Sequence, residues 1–308
     1  MKILTLTLNP AFDLYCDGDT LREGEENFAA VTRCDAGGKG INIARALGAC
    51  GVKAEAFVIL GEENCNEFES HLKKDGVSYK AKYIHGRIRE NITHRSEHGE
   101  TRLSFSGFSI TDEEFAECEN YVMNSIKAGD ILTLTGSLPK GVENRHAIGL
   151  VKKAQGLGAL VAVDCRNFSA EELKEMSPWL IKPNLSEIFK MTDGAVKNEK
   201  TALEYAVRLH RSGISNALIS LGKDGAVLCC EQGLYSVKAP PVKALSTIGA
   251  GDSMIAGFIY ATQKGLAPAE CLRYATAFGS AACKKEGTEP PSLSDVEELL
   301  SLISVERR

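Results

Sequence analysis

Apolar positions along this chain follow two rhythms. Short runs at 3–8, 54–60, 131–135, 160–164, 180–182 and 217–220 are apolar or β-branched at nearly every position, which predicts strands buried on both faces. Between them, apolar residues recur every three or four positions at about 64–74, 111–127, 143–155, 198–212, 252–263, 268–283 and 294–303, which predicts helices facing a core. Local chemistry marks several boundaries. Asn9-Pro10 stops the first strand and Pro183 stops the run at 180–182. Thr111-x-x-Glu114 and Ser169-x-x-Glu172 are capping boxes, and Asn184 caps a helix that follows it. Strand–helix alternation over most of the chain predicts an α/β fold, a parallel sheet with helices on both faces.

Two stretches break the alternation. Residues 14–35 show no helical period, and Phe28, Ala30, Thr32 and Cys34 alternate as in a strand. Residues 87–91 and 101–105 read as a polar hairpin around His98-Gly99. Together they predict a small β sheet beside the main body, a lid formed by about 14–35 and 87–106. The Gly222–Gly225 turn leads into 226–230 as a further hairpin. With no linker and no fixed-period repeat, 1–308 reads as a single domain.

Composition narrows the function classes. The 308 residues are 44% hydrophobic and 25% charged, as in a soluble globular protein. A net charge of -5 argues against a nucleic-acid partner and gives no sign of a membrane-surface role. The first residues are too polar for a secretion signal, and no apolar run approaches about 20 residues, so a cytoplasmic location is expected. The ten cysteines are scattered, with no Cys-x-x-Cys and no zinc spacing, and read as reduced thiols. His94 and His98 are four apart, but the turn between them favours a solvated hairpin over a metal site.

The chemistry concentrates at Gly249-Ala250-Gly251-Asp252, which opens an apolar helix. The first N–H groups of a helix lack backbone partners and favour an anion, and glycine lets the backbone reach it. One carboxylate then lies beside that anion, although an acid there also complements the helix dipole. Gly37-Gly38-Lys39-Gly40 is a second glycine turn opening a helix, with Lys39 as a candidate anion contact; it lacks the Ser or Thr of a P-loop. No Gly-x-Gly-x-x-Gly follows a strand, which speaks against a dinucleotide-dependent dehydrogenase. Asp13, just past the first strand, and the loop at 136–141 fall where open α/β sheets place ligands. Arg89 and Arg102 would lie on the small sheet, where a guanidinium suits a phosphate. Glu187 fits either a capping carboxylate or a group that orders magnesium-bound water.

Several stretches occur in the order and spacing of one family: Asn9-Pro10-Ala11-x-Asp13, Gly37-Gly38-Lys39-Gly40-Ile41-Asn42-x-Ala44, Arg89-x-Asn91, Gly136-Ser137-Leu138-Pro139, Lys182-Pro183-Asn184-x-x-Glu187, Ser220-Leu221-Gly222-x-x-Gly225 and Thr247-x-Gly249-Ala250-Gly251-Asp252-Ser253. From about residue 3 to 287 the chain resembles the ribokinase-like (PfkB) sugar kinases, within them the branch of 1-phosphofructokinase, tagatose-6-phosphate kinase and the minor 6-phosphofructokinase. The resemblance implies a Rossmann-like three-layer α/β/α core with a β lid that often dimerises. It implies ATP and Mg2+ as cofactors, and leaves open a monovalent cation.

By this resemblance Asp252 is the base, with Gly249, Ala250 and Gly251 forming the anion hole. Lys182, Asn184, Ser220, Gly222 and Gly225 lie along ATP, and Glu187 orders magnesium through water. Asp13, Gly38, Lys39, Asn42, Arg89, Asn91 and Ser137 hold a sugar phosphate. The expected substrate is fructose 1-phosphate, with tagatose 6-phosphate as the alternative and an idle nucleotide-binding regulator as a third reading. Three departures fall on the sugar side: Phe28 where an arginine is common, Thr101-Arg102-Leu103-Ser104 in place of Thr-Glu-Leu-Asn, and Cys165-Arg166-Asn167 where a Thr-Ser-Gly or Ser-Ser-Gly is usual. Arg102 is placed to supply the phosphate contact that Phe28 cannot.

Overall fold

The computed structural model describes residues 1–165 and 168–308. The first strand, β1 (Ile3–Thr7), is buried along its whole length. The chain then turns at Asn9-Pro10 into β2 (Ala11–Gly18) and β3 (Ala29–Gly37), and enters α1 (Lys39–Ala49). Next come β4 (Glu55–Gly61), α2 (Cys65–Lys74), β5 (Tyr79–Ile84), β6 (Arg89–Ser96) and β7 (Gly99–Ser104). The middle of the chain runs α3 (Asp112–Ser125), β8 (Ile131–Thr135), α4 (Asn144–Gly156), β9 (Leu160–Asp164), α5 (Ala170–Met176), β10 (Leu180–Ile181), α6 (Leu185–Met191), α7 (Glu199–Arg211) and β11 (Asn216–Ser220). A 3-10 turn at Gly222–Asp224 leads to β12 (Ala226–Cys230) and β13 (Gly233–Val237), followed by α8 (Ala250–Gln263), α9 (Pro268–Cys283), α10 (Leu293–Leu300) and β14 (Val305–Arg307).

Ten strands form the main sheet in the order β14-β13-β12-β11-β10-β9-β8-β1-β4-β5. It is parallel from β11 to β5, and the β11–β14 side is antiparallel. Strand periodicity divides the core in two. Leu4, Leu6, Leu132 and Leu134 face a cluster shared with α2 to α7, whereas Ile3 and Ile131 face one built with α1, α8, α9 and α10. Helices therefore cover both faces, the α/β/α layering expected of a Rossmann-like core. No helix among the described residues is long and apolar enough to cross a membrane.

The second sheet has the order β3-β2-β6-β7, with β2 parallel to β6 and the other pairs antiparallel. It uses the two stretches that break the alternation, but begins earlier than expected. Asp13 does not trail the carboxyl end of a main-sheet strand; it lies inside β2 of the second sheet. The turn at Asn9-Pro10 lets the chain change sheets between Thr7 and Ala11, and a bulge between Tyr15 and Cys16 follows inside β2. The capping boxes at Thr111, Ser169 and Asn184 are all present. The last helix starts one residue earlier than expected, capped by Ser292 with Asp295 reciprocating. Three strands gave no usable signal: β5, β13 and β14. In β5 Lys80 and Lys82 interrupt the apolar pattern, as suits an edge strand that must not attract another chain.

Candidate active site

One cavity of about 540 Å³ lies where the carboxyl ends of β1, β8 and β9 meet the second sheet and the start of α8. Gly249, the residue before α8, has φ 78°, a left-handed conformation that glycine adopts without a Cβ clash. That turn puts Gly251 and Asp252 in the first helical turn. Gly249, Gly251 and Asp252 line the cavity. Among the described residues, no acceptor takes a hydrogen bond from the Gly251 or Asp252 amide. The Ala250 amide instead faces the Thr247 carbonyl at 3.4 Å, and Ala250 does not line the cavity. The amide dipole there centres on Gly251, one residue further along than Ala250.

Asp252 is 6% exposed. Asn42 Nδ2 donates to its Oδ2 at 2.8 Å. Burial pushes the Asp252 carboxyl up to about 6, against the Lys39 charge and the Asn42 hydrogen bond, which pull it down. Asp164 adds a further upward push and Lys182 a downward one.

Asn42 and Lys39 are one turn apart on α1, so they share a side. The helix can lie this close to β1 because residue 40 is glycine: a Cβ there would sit 2.5 Å from the Leu6 carbonyl oxygen. The Ile41 amide also donates to Thr7 Oγ1 at 3.1 Å. Lys39 does not point at open space. Its Nζ donates to Asp164 Oδ2 at 2.8 Å and to the Asp164 carbonyl at 3.2 Å. Burial pulls the Lys39 ammonium down, but Asp164 and Asp252 together hold it above the ordinary lysine range. Lys182 Nζ lies 3.7 Å from the same Asp164 oxygen, and a Cβ on Gly251 would be 2.8 Å from it. One buried ammonium, Lys182, and one partly buried, Lys39, thus interleave with two buried carboxylates beside the free amides. Asp164 was missing from the sequence-derived set. Its one signal was an acid ending a buried strand, the position that drew attention to the neighbouring loops.

The second sheet supplies the opposite wall. Asp13 and Asn91 are register partners on β2 and β6, and Asn91 Nδ2 donates to Asp13 Oδ1 at 2.9 Å. Arg102 Nη2 donates to the same oxygen at 3.3 Å. Burial raises the Asp13 carboxyl, opposed by Asn91 and by the charges of Arg102 and Arg89. Arg89 spends its donors on the protein: the Phe105, Asn9 and Pro10 carbonyls at 2.8, 3.2 and 3.4 Å, and Ser137 Oγ at 3.2 Å. Burial holds its pKa below the usual arginine value. Asn9, quoted only as part of a motif, donates to Ser137 Oγ at 3.1 Å. Among the described residues, the buried Oδ1 atoms of Asn9 and Asn91 have no protein donor.

Gly38, Asn184 and Glu187 also line the cavity. Asn184 and Glu187 cap α6 reciprocally at 2.8 and 2.9 Å, so the capping reading of Glu187 holds. Ser220, Gly222 and Gly225 do not line the cavity; Ser220 bridges to Asn184, and the turn carrying the two glycines follows it. Phe28 is 79% exposed and outside the cavity. Of the three departing stretches, Arg166 and Asn167 lie outside the described residues. His94 is buried in β6 and His98 is in the turn, and no cluster of three potential metal ligands occurs among the described residues.

The site therefore offers an anion pocket at a helix start, a carboxylate able to take a proton, and a polar wall with a guanidinium. The chain is 31% identical to the 1-phosphofructokinase of Escherichia coli K12 over 95% of each chain. It is 29% identical to the tagatose-6-phosphate kinase of Staphylococcus epidermidis over 98% of this chain and 99% of that one. Among solved structures, phosphofructokinase-2 from Escherichia coli in complex with potassium superposes with a TM-score of 0.89 at 28% identity, over 98% of each chain. The model of the pfkB family carbohydrate kinases matches residues 7–295. With nearly the whole chain covered, this protein belongs to the pfkB family of carbohydrate kinases and is a phosphotransferase with an alcohol group as acceptor.

Proposed function

We propose that the enzyme transfers the γ-phosphoryl group of ATP to the free primary hydroxyl of a ketohexose phosphate, fructose 1-phosphate first, giving fructose 1,6-bisphosphate. The observation that carries this reading is Asp252, buried beside the unengaged Gly251 amide and facing Lys39 and Lys182. In the reaction the sugar hydroxyl oxygen bonds to phosphorus, the bond to the ADP oxygen breaks, and the hydroxyl proton passes to Asp252. The transition state is loose, so the protein mainly positions groups and stabilises charge. The Gly251 amide and the two ammoniums provide that charge. The free amides and paired lysines suit a triphosphate, and Glu187 is the group proposed to hold magnesium through water. Magnesium, when bound, screens the phosphate charge. A monovalent cation is part of the proposal on the strength of the potassium complex of the Escherichia coli relative.

The second sheet is assigned the role of a lid over a single kinase domain, keeping out water that would compete as acceptor. Phe28, Val31 and Leu103 are exposed apolar side chains on that sheet and its approach, and would meet a second copy in a homodimer. Tagatose 6-phosphate is the second reading, favoured by the Staphylococcus epidermidis relative. ADP release measured across fructose 1-phosphate, tagatose 6-phosphate, fructose 6-phosphate and ribose tests the substrate class; ribose as the best substrate would overturn it.

Arg102 is assigned the phosphate already on the sugar. Arg89 is already committed to carbonyls, whereas Arg102 lines the cavity and, among the described residues, bonds only Asp13. A hydrogen bond to a charged group is worth about 1.5–3 kcal/mol. Arg102→Ala is therefore expected to raise KM for the sugar phosphate by about 10- to 100-fold, with KM for ATP unchanged. An unchanged sugar KM would return the contact to Arg89.

The Asp252 carboxyl sits near 6, raised from the ordinary value, so the group is protonated, and no base, below that pH. On the acid side kcat/KM should therefore fall toward tenfold per pH unit below about 6. A sugar phosphate titrates in the same range. The pH dependence of binding of a non-reacting analogue gives that contribution, and an acid limb that vanishes after its subtraction would count against Asp252.

A further inference from the structure

Arg45 lies one turn beyond Asn42 on α1, with its side chain 5% exposed. An arginine so buried must be paired on several sides. Its Nη1 donates to Asn42 Oδ1 at 3.2 Å and to Thr288 Oγ1 at 3.3 Å. Its Nη2 donates to the Ala36 carbonyl at 2.9 Å and pairs with Asp75 Oδ2 at 2.8 Å. A guanidinium has donors only, so an amide facing it presents oxygen. The Asn42 oxygen is thereby turned to Arg45, and its NH2 is left for Asp252. The reversed amide would set oxygen against the carboxylate and NH2 against the guanidinium, losing both bonds.

The same logic runs outward. The Thr288 hydroxyl accepts from Arg45, so its single hydrogen goes to Asp35 Oδ2 at 3.1 Å. Asp35 belongs to β3 and also receives Arg33 Nε at 2.7 and 2.9 Å. An unbroken chain of donors and acceptors thus joins the second sheet to Asp252.

We propose that Arg45 is a positioning residue of this kinase: it orients the Asn42 amide toward Asp252 and ties that carboxylate to the second sheet through Thr288 and Asp35. The inference rests on the phosphoryl-transfer reading only for its kinetic consequence; the orientation itself is independent of substrate. The charged groups facing Asp252 are Lys39 from α1, Asp164 from β9 and Lys182 after β10. Those facing Arg45 are Asp75 directly and Asp35 through Thr288.

The test is Arg45→Met in the full chain, read first by titration of the Asp252 carboxyl carbon by NMR, assigned by its loss in Asp252→Asn. Asn42's hydrogen bond favours the charged form, so its loss raises the Asp252 pKa by about one unit. Turnover should fall about tenfold, with its acid limb shifted up by the same amount and KM for ATP unchanged. Arg45→Lys should fail likewise, because a point charge cannot hold Asn42 and Thr288 together. Adding Arg45→Met to Asn42→Ala should move the Asp252 titration no further than Asn42→Ala alone. Should Arg45→Met not fold, Thr288→Val is expected to shift the titration in the same direction by a smaller amount. An unmoved Asp252 titration in Arg45→Met with a lowered Tm, additive effects in the double variant, or an unmoved titration in Thr288→Val would each overturn the proposal. A wild type inactive on every sugar phosphate would sink the functional reading instead, and the titration would still decide the role of Arg45.

Discussion

Replacing Asp252 with asparagine is expected to lower turnover by about 10³-fold, the middle of the range a positioned base contributes, while ATP affinity stays within about twofold. The amide has the shape of the carboxylate and can still offer an oxygen to Asn42 Nδ2, so the 2.8 Å contact and the start of α8 should survive. What disappears is the proton acceptor. Asp252 also helps hold the Lys39 ammonium in its charged form, so a minor share of the loss comes from a changed electrostatic balance. Turnover at saturating substrates and calorimetric titration of ATP separate the effects. A variant that keeps more than about a tenth of wild-type turnover would mean that the proton leaves by another route.

The second large effect is on stability. Asp164 is 5% exposed and lies 2.8 Å from Lys39 Nζ and 3.7 Å from Lys182 Nζ. Asp164→Leu leaves two ammoniums facing each other in a buried cavity without this carboxylate. Removing one partner of a buried ion pair costs about 3–5 kcal/mol. For a chain of this size that corresponds to a Tm lower by roughly 5–8 °C. The cause is electrostatic, so an anion placed between the lysines should restore part of the loss. Melting curves with and without saturating ADP test this: the gap between variant and wild type should narrow with nucleotide. A gap that stays constant would point to packing around Asp164 rather than to the lysines.

Sequence reached far into this protein where signals are local. The capping boxes at Thr111, Ser169 and Asn184, the glycine turns before Lys39 and Asp252, and the buried runs of the parallel strands each depend on a few neighbouring residues. The last helix starts one residue before the expected 294, because Ser292 takes the cap although Ser294-x-x-Glu297 satisfies the same pattern. Contacts formed by closure of the fold were out of reach. Whether Arg89 or Arg102 is the uncommitted guanidinium depends on carbonyls at Asn9, Pro10 and Phe105, which only the fold brings together. Asp164 looked like any acid ending a strand until Lys39 and Lys182 arrived from other elements. Strands β5, β13 and β14 lie at the margins of the main sheet, where side chains need not be apolar on both faces and periodicity fades.

Strand β1 takes its place between β4 and β8, so its two neighbours are synthesised far apart in time. At roughly 5–20 residues per second, several seconds separate the emergence of residues 55–61 and 131–135 from the ribosome. Through that interval one margin of the nascent sheet, with Leu4 and Leu6 beside it, stays open to chaperones or to misassembly, and biosynthetic yield should respond more sharply to the pace of translation across 62–130 than across the later helices.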